Sequence, residues 1–142
     1  MDKPLVAASA CLLGTPVRSD GKACEFRPLS RQWSEHLRLL PFCPEVGIGL
    51  GTPRPHLRLS KVDGGIRLVQ PRSGKDLTDA MVAWATRTSD DLAGLGVNGL
   101  VLKEGSPSCG VNRVEVHPSE EGRVMREGVG VFTMVFMALN PH

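Results

Sequence analysis

The segment Gly99-Leu-Val-Leu102 runs without a break into Lys103-Glu-Gly-Ser-Pro-Ser-Cys-Gly110, and that junction decides how the chain is read. Three apolar residues after a glycine predict a short buried strand, and the run of Gly, Ser and Pro behind them predicts a tight loop. Cys109 therefore stands at a strand exit. The same arrangement recurs twice upstream. Leu5-Val-Ala-Ala-Ser-Ala10 reads as a buried strand that delivers Cys11 into a loop lasting to about Gly21, and the apolar segment Leu39–Phe42 delivers Cys43. In α/β sheets, ligands bind where loops leave the carboxyl ends of strands. Three cysteines at three strand exits point to one shared site.

The rest of the chain supplies the frame. Leu29, Trp33, Leu37 and Leu40 recur at a spacing of three to four, which predicts an amphipathic helix over 29–40 that Pro41 stops. Gly47, Gly49 and Gly51 make 46–55 turn-rich, and Ile66-Arg-Leu-Val69 reads as a strand after the Asp63-Gly64-Gly65 turn. Asp76 or Thr78 is placed to cap a helix running to about Leu95, with Leu77, Met81, Trp84, Ala85 and Leu92 inward. Residues 111–127 read as a hairpin or excursion and 130–140 as an apolar closing helix. Strands alternating with helices predict the α/β class: one Rossmann-like, three-layer domain with a mainly parallel sheet over residues 1–142.

Composition excludes several function classes. A net charge of +2 gives no polyanion-binding signal, and four Phe, two Trp and no Tyr leave few faces on which bases could stack. No apolar run reaches the length of a bilayer, and the first ten residues lack the pattern of a signal peptide, so the expected location is cytoplasmic. In a reducing compartment four cysteines do not make two structural disulfides. They are buried thiols, metal ligands or reactive groups. Oligomeric state is left open.

Each cysteine loop is built the same way, with the thiol beside glycine, proline or serine: Ser9-Ala-Cys-Leu-Leu-Gly14, Cys43-Pro-Glu45 and Ser106-Pro-Ser-Cys-Gly110. Such loops let main-chain N–H groups approach a sulfur-rich anion. The wide spacing matches neither zinc ribbons nor ferredoxins, whose cysteines come in close pairs. Three thiolates would leave one iron of a four-iron cluster open to a Lewis base, and soft iron favours a sulfur ligand. The residues leave three readings open: a cluster-dependent enzyme acting on a sulfur compound, a non-catalytic iron–sulfur or zinc carrier or redox sensor, and a metal-free cysteine nucleophile. Cys24, beside Glu25 in a polar stretch, reads as an ordinary thiol. His36, His56, His117 and His142 show no ligand spacing and read as surface residues, whereas Trp33 and Trp84 fit helix core faces.

Taken in order, Ser9-Ala-Cys-Leu-Leu-Gly14, Asp20-Gly21, Cys43-Pro-Glu45 with Gly49-Leu-Gly-Thr-Pro-Arg54, Leu102-Lys-Glu-Gly-Ser-Pro-Ser-Cys-Gly110 and Gly128-Val-Gly-Val-Phe132 resemble the thiouracil desulfurase family in its single-domain form. That family was formerly catalogued as a bacterial domain of unknown function, and the likeness covers nearly the whole chain. It implies a 4Fe-4S cluster held by Cys11, Cys43 and Cys109, whose free iron takes the sulfur of a thiolated pyrimidine such as 2-thiouracil. Water then supplies the replacing oxygen and sulfide leaves. It further implies catalytic roles for Glu45 and Ser106 and substrate contacts from Asp20 and Ser108. Ser19 stands where the family has a tyrosine, which removes any tyrosine-dependent contact with substrate. Relatives acting on thiolated tRNA carry an additional C-terminal domain without counterpart in these residues, so the implied substrate is a free base or small nucleoside.

Overall fold

The computed structural model describes residues 3–118 and 122–141. Its first sheet is wholly parallel and has the order β2-β1-β6, where β1 is Leu5–Ser9, β2 is Arg38–Phe42 and β6 is Gly99–Val101. The central strand β1 pairs with β2 from Leu5↔Arg38 to Ser9↔Phe42 and with β6 from Val6↔Gly99 to Ala8↔Val101. A central parallel strand must be covered on both faces. Ala7 packs into one apolar cluster, with Met81, Ala85, Leu92 and Phe132, and Ala8 into another, with Cys11, Leu12 and Leu29. Both alanines are fully buried, so neighbouring elements approach closely on either side.

A second sheet has the order β5-β4-β3-β7-β8, built from β3 (Arg58–Val62), β4 (Gly65–Gln70), β5 (Lys75–Asp76), β7 (Val114–His117) and β8 (Met125–Gly128). It is mixed: β3 runs parallel to β7, and the remaining pairs are antiparallel. The α/β class stands, but the single, mainly parallel Rossmann-like sheet expected from the sequence is not formed among the described residues: a small parallel sheet carries all three cysteine loops, and the other five strands make a separate, mostly antiparallel sheet. The second sheet adds strand β3, which the sequence pattern did not announce. The hairpin expected in 111–127 is present as β7 and β8, and residues 119–121 of its connection lie outside the described residues.

Helix α2 (Thr78–Gly94) buries Met81, Ala85 and Leu92 as expected, with Leu77 and Trp84 packed against the same cluster. The N-cap position falls on Leu77, which makes no side-chain cap, while Asp76 Oδ1, one residue earlier, accepts the Thr78 N–H at 2.9 Å. The closing helix α3 (Val131–Leu139) packs on α2 and buries Phe132, whose ring meets Phe42 and Trp84 at centroid distances of 5.1 and 5.6 Å. Among the described residues no helix is long and apolar enough to cross a membrane.

The helix expected over 29–40 is not formed. A short π-type turn, Pro28–Gln32, passes into a 3-10 turn, Trp33–Glu35, and the chain then extends as β2. Pairing with β1 wins over local period, because Leu39 and Leu40 gain a full ladder opposite Val6 and Ala7. Trp33 is consequently exposed and meets Phe26 edge-on at 5.5 Å, rather than facing the core.

Candidate functional site

The exits of the three parallel strands converge on one cleft of about 210 Å³, lined by Cys11, Cys43 and Cys109 together with Glu45, Ser106 and Ser108. Cys11 lies in the 3-10 turn Ala10–Leu13 directly after β1. Gly14 ends that turn at φ 95°, a left-handed geometry that favours glycine, and its N–H returns to the Cys11 carbonyl at 3.3 Å. Cys43 follows β2 and stands just before the single helical turn α1 (Pro44–Gly47). Cys109 ends the loop that leaves β6. Among the described residues no three His, Cys, Asp or Glu side chains stand close enough to share one metal ion.

The Cys109 loop is held from inside and behind. Ser106 Oγ accepts the backbone N–H groups of Ser108 at 3.2 Å and Cys109 at 3.1 Å. From behind, Gly130, Val131 and Phe132 donate their backbone N–H groups to the carbonyls of Gly110, Pro107 and Ser108, and Thr133 Oγ1 donates to the Cys109 carbonyl at 2.7 Å. A Cβ at Gly130 would meet the Cys109 backbone nitrogen at 2.5 Å, so only glycine lets the start of α3 lie this close. The family-like segment before the last helix is therefore the backing plate of the third cysteine.

Glu45, only 9 % exposed, is the buried acid of the cleft, whose other carboxylate, Glu104, is exposed. Arg54 Nε donates to Glu45 Oε1 at 2.9 Å, and Ser108 Oγ donates to Glu45 Oε2 at 2.8 Å. Arg54 is fixed in turn through Nη1 to the Gly51 carbonyl and Thr52 Oγ1, and its backbone N–H donates to the Ser19 carbonyl. The glycine-rich stretch 46–55 thus exists to carry an arginine back onto Glu45. Gly47 is required on that path, since a Cβ there would run into the Trp84 ring.

Burial sets the character of the thiols. It pushes Cys11 up to about 11, with the neighbouring Cys109 as the next cause. Burial also raises Cys109, against the opposing hydrogen bonds from Ser106 and Ser9. Neither is a free thiolate near neutral pH, and a reactive metal-free nucleophile needs the opposite shift. A metal removes that obstacle, because its own charge drives off the thiol proton.

Cys11, Cys43, Glu45, Ser106, Ser108 and Cys109 are thus brought together. Asp20 is not with them. It is an exposed turn residue whose Oδ1 accepts the Lys22 N–H at 2.9 Å, and the cleft wall at this point is Arg18 and Ser19. Ser108, also in the cleft lining, is almost fully buried and donates its hydroxyl hydrogen to Glu45. Cys24 donates its backbone N–H to the Cys11 carbonyl at 3.0 Å but is absent from the cleft lining. Ser9 and Thr133 were not singled out by sequence, whereas Arg54, between two prolines, reads as a partner for a carboxylate or an anionic substrate and is found on Glu45.

Comparison with known proteins agrees with this geometry. The chain is 27 % identical over 111 residues to YbbK of Bacillus subtilis (strain 168), a match covering 75 % of this chain and 73 % of that protein. It superposes on the solved structure of the [4Fe-4S]-dependent thiouracil desulfidase TudS with a TM-score of 0.72 and 37 % identity, covering 96 % of this chain and 84 % of that one. The model of 2-thiouracil desulfurases matches residues 6–142, so cleft, cysteine loops and closing helix all fall inside the match. The chain belongs to the 2-thiouracil desulfurase family.

Proposed function

We propose that this protein removes sulfur from a thiolated pyrimidine of the 2-thiouracil type, giving the oxo base and sulfide, with a 4Fe-4S cluster held by Cys11, Cys43 and Cys109. The carrying observation is that a doubly clamped carboxylate, Glu45, shares one cleft with three thiols on three strand exits. The donor set fits the group: three soft sulfurs, spread too widely for one ion and flanked by loops rich in glycine and proline. When bound, such a cluster supplies one iron without a protein ligand, a Lewis acid for the thiocarbonyl sulfur.

The chain's own residues supply the rest. Each Glu45 oxygen accepts one protein hydrogen bond and keeps a free lone pair, so the carboxylate is fixed in direction yet able to receive a proton from water. Water adds its oxygen to the thiocarbonyl carbon as Glu45 takes the proton. The carbon–sulfur bond then breaks as Glu45 returns that proton to the sulfur and the added hydroxyl releases its own to water, so the oxo base forms and hydrosulfide leaves. Ser106 accepts from two backbone N–H groups, and its single hydroxyl hydrogen, which can turn to the Cys109 sulfur, can also donate to the pyrimidine or relay a proton.

The test is anaerobic reconstitution followed by addition of 2-thiouracil. The expected result is loss of the thiouracil ultraviolet band and appearance of sulfide, while Glu45→Gln keeps the brown chromophore and turns over about 10²–10⁴-fold more slowly. An intact chromophore with no loss of the band in the wild-type protein refutes the activity and leaves the carrier reading.

A further inference from the structure

Ser9 closes β1 and is 3 % exposed. Alternate residues of a strand share a face, so Ser9 points to the side of Ala7, into the same cluster that contains Cys109. Its hydroxyl has one hydrogen and two lone pairs. One lone pair takes the Lys103 backbone N–H at 2.9 Å, and the hydroxyl also lies 3.3 Å from Cys109 Sγ. A protonated thiol could donate across this contact in the other direction. A thiolate bound to iron has no hydrogen to give, so the direction is then forced, with Ser9 O–H donating to sulfur. Among the described residues neither Cys11 nor Cys43 has a comparable side-chain hydrogen bond at its sulfur. The three ligands are therefore unequal.

We propose that Ser9 is a positioning residue for the third cluster ligand: it gives the Cys109 thiolate an O–H···S hydrogen bond while holding the first residue of the Cys109 loop. The inference rests on the cluster reading above. Residues that hydrogen-bond a metal ligand orient it and tune the metal, and hydrogen bonds to cluster sulfurs are among the determinants of potential. A donor draws electron density from the ligand sulfur, which favours the reduced cluster and raises its reduction potential. In a site this dry the bond is stronger than at the surface.

The test compares reconstituted wild-type protein, Ser9→Ala and Ser9→Thr, with thermal melts of the cluster-free proteins reporting folding. The readouts are pulsed EPR of the reduced cluster in H₂O and D₂O, the midpoint potential, and the rate of cluster loss to a chelator. In the wild type and Ser9→Thr, the exchangeable proton of the residue-9 hydroxyl couples to the cluster in addition to those of Ser106 and the loop N–H groups. That coupling is missing in Ser9→Ala, the potential moves to more negative values, and the cluster is lost about 10-fold faster. Identical proton couplings and potentials in all three overturn the proposal, as does faster cluster loss in Ser9→Ala with couplings and potential unchanged, which is a packing effect. Should Ser9→Ala fail to fold, Ser9→Gly takes its place, and couplings and potential identical to the wild type overturn the proposal. A protein that binds no cluster at all refutes the broader reading, whereas an intact cluster without the coupling refutes only the role of Ser9.

Discussion

Two arginine–carboxylate pairs, one on the mixed sheet and one in the cleft, look alike on distance. Arg67 Nε meets Asp76 Oδ2 at 2.7 Å on the mixed sheet, and Arg54 Nε meets Glu45 Oε1 at 2.9 Å in the cleft. The shorter contact is the less consequential. Side chains of the first pair are 36 % and 40 % exposed, so water and salt screen it. Those of the second are 6 % and 11 % exposed, where an ion left alone is costly. The exposed pair ties β4 to β5 and the start of α2. The buried pair spends an arginine, a serine and a glycine-rich loop on holding one acid beside three thiols. Burial and convergence mark the functional pair, and distance does not.

Breaking the buried pair gives the larger effect. Arg54→Met leaves the Glu45 carboxylate buried and unpaired, and unfolding by denaturant is expected to show a loss of about 3–5 kcal/mol. Replacing both partners, Arg54→Met with Glu45→Met, removes the stranded charge and restores most of that loss while leaving the protein inactive. A double variant as unstable as the single one contradicts the assignment of Glu45 to catalysis over stability.

The exposed pair sharpens the contrast from the other side. Asp76→Ala removes a screened ion pair and the acceptor of the Thr78 N–H, and a loss of about 1 kcal/mol is expected with full activity. The hydrogen bond from Arg67, aided by Thr78, holds Asp76 at about 2, below its ordinary 3.8. A depressed carboxyl stabilises the fold above its unfolded value and loses that contribution as pH falls through its folded value. Melting temperature should therefore fall between about pH 4 and 2, and less steeply in Asp76→Asn.

What the sequence made legible follows the same division. Apolar runs before Cys11 and Cys109 announced β1 and β6, because a strand covered on both faces carries few polar interruptions, whereas β2, a half-exposed edge strand, was read in part as helix. Strand β3, Arg58-Leu-Ser-Lys-Val62, escaped because its burial does not alternate cleanly: Leu59 and Ser60 are both buried. The period of Leu29, Trp33, Leu37 and Leu40 suggested a helix, yet the pairing of β2 with β1 overrode it. In the cleft, cysteines and Glu45 were readable as residue types. The hydrogen bonds that aim them were not, since Ser9 and Cys109 are 100 positions apart and Ser108 and Glu45 are 63 apart.

The central claim is that three cysteines act together and the fourth stands apart. Iron and acid-labile sulfide should be counted on anaerobically reconstituted wild-type protein and on single Ala variants of Cys11, Cys24, Cys43 and Cys109. About four irons and four sulfides per chain are expected for the wild type and Cys24→Ala, with the cluster lost or degraded in the other three. Full clusters in any of Cys11→Ala, Cys43→Ala or Cys109→Ala, or their loss in Cys24→Ala alone, would contradict the account.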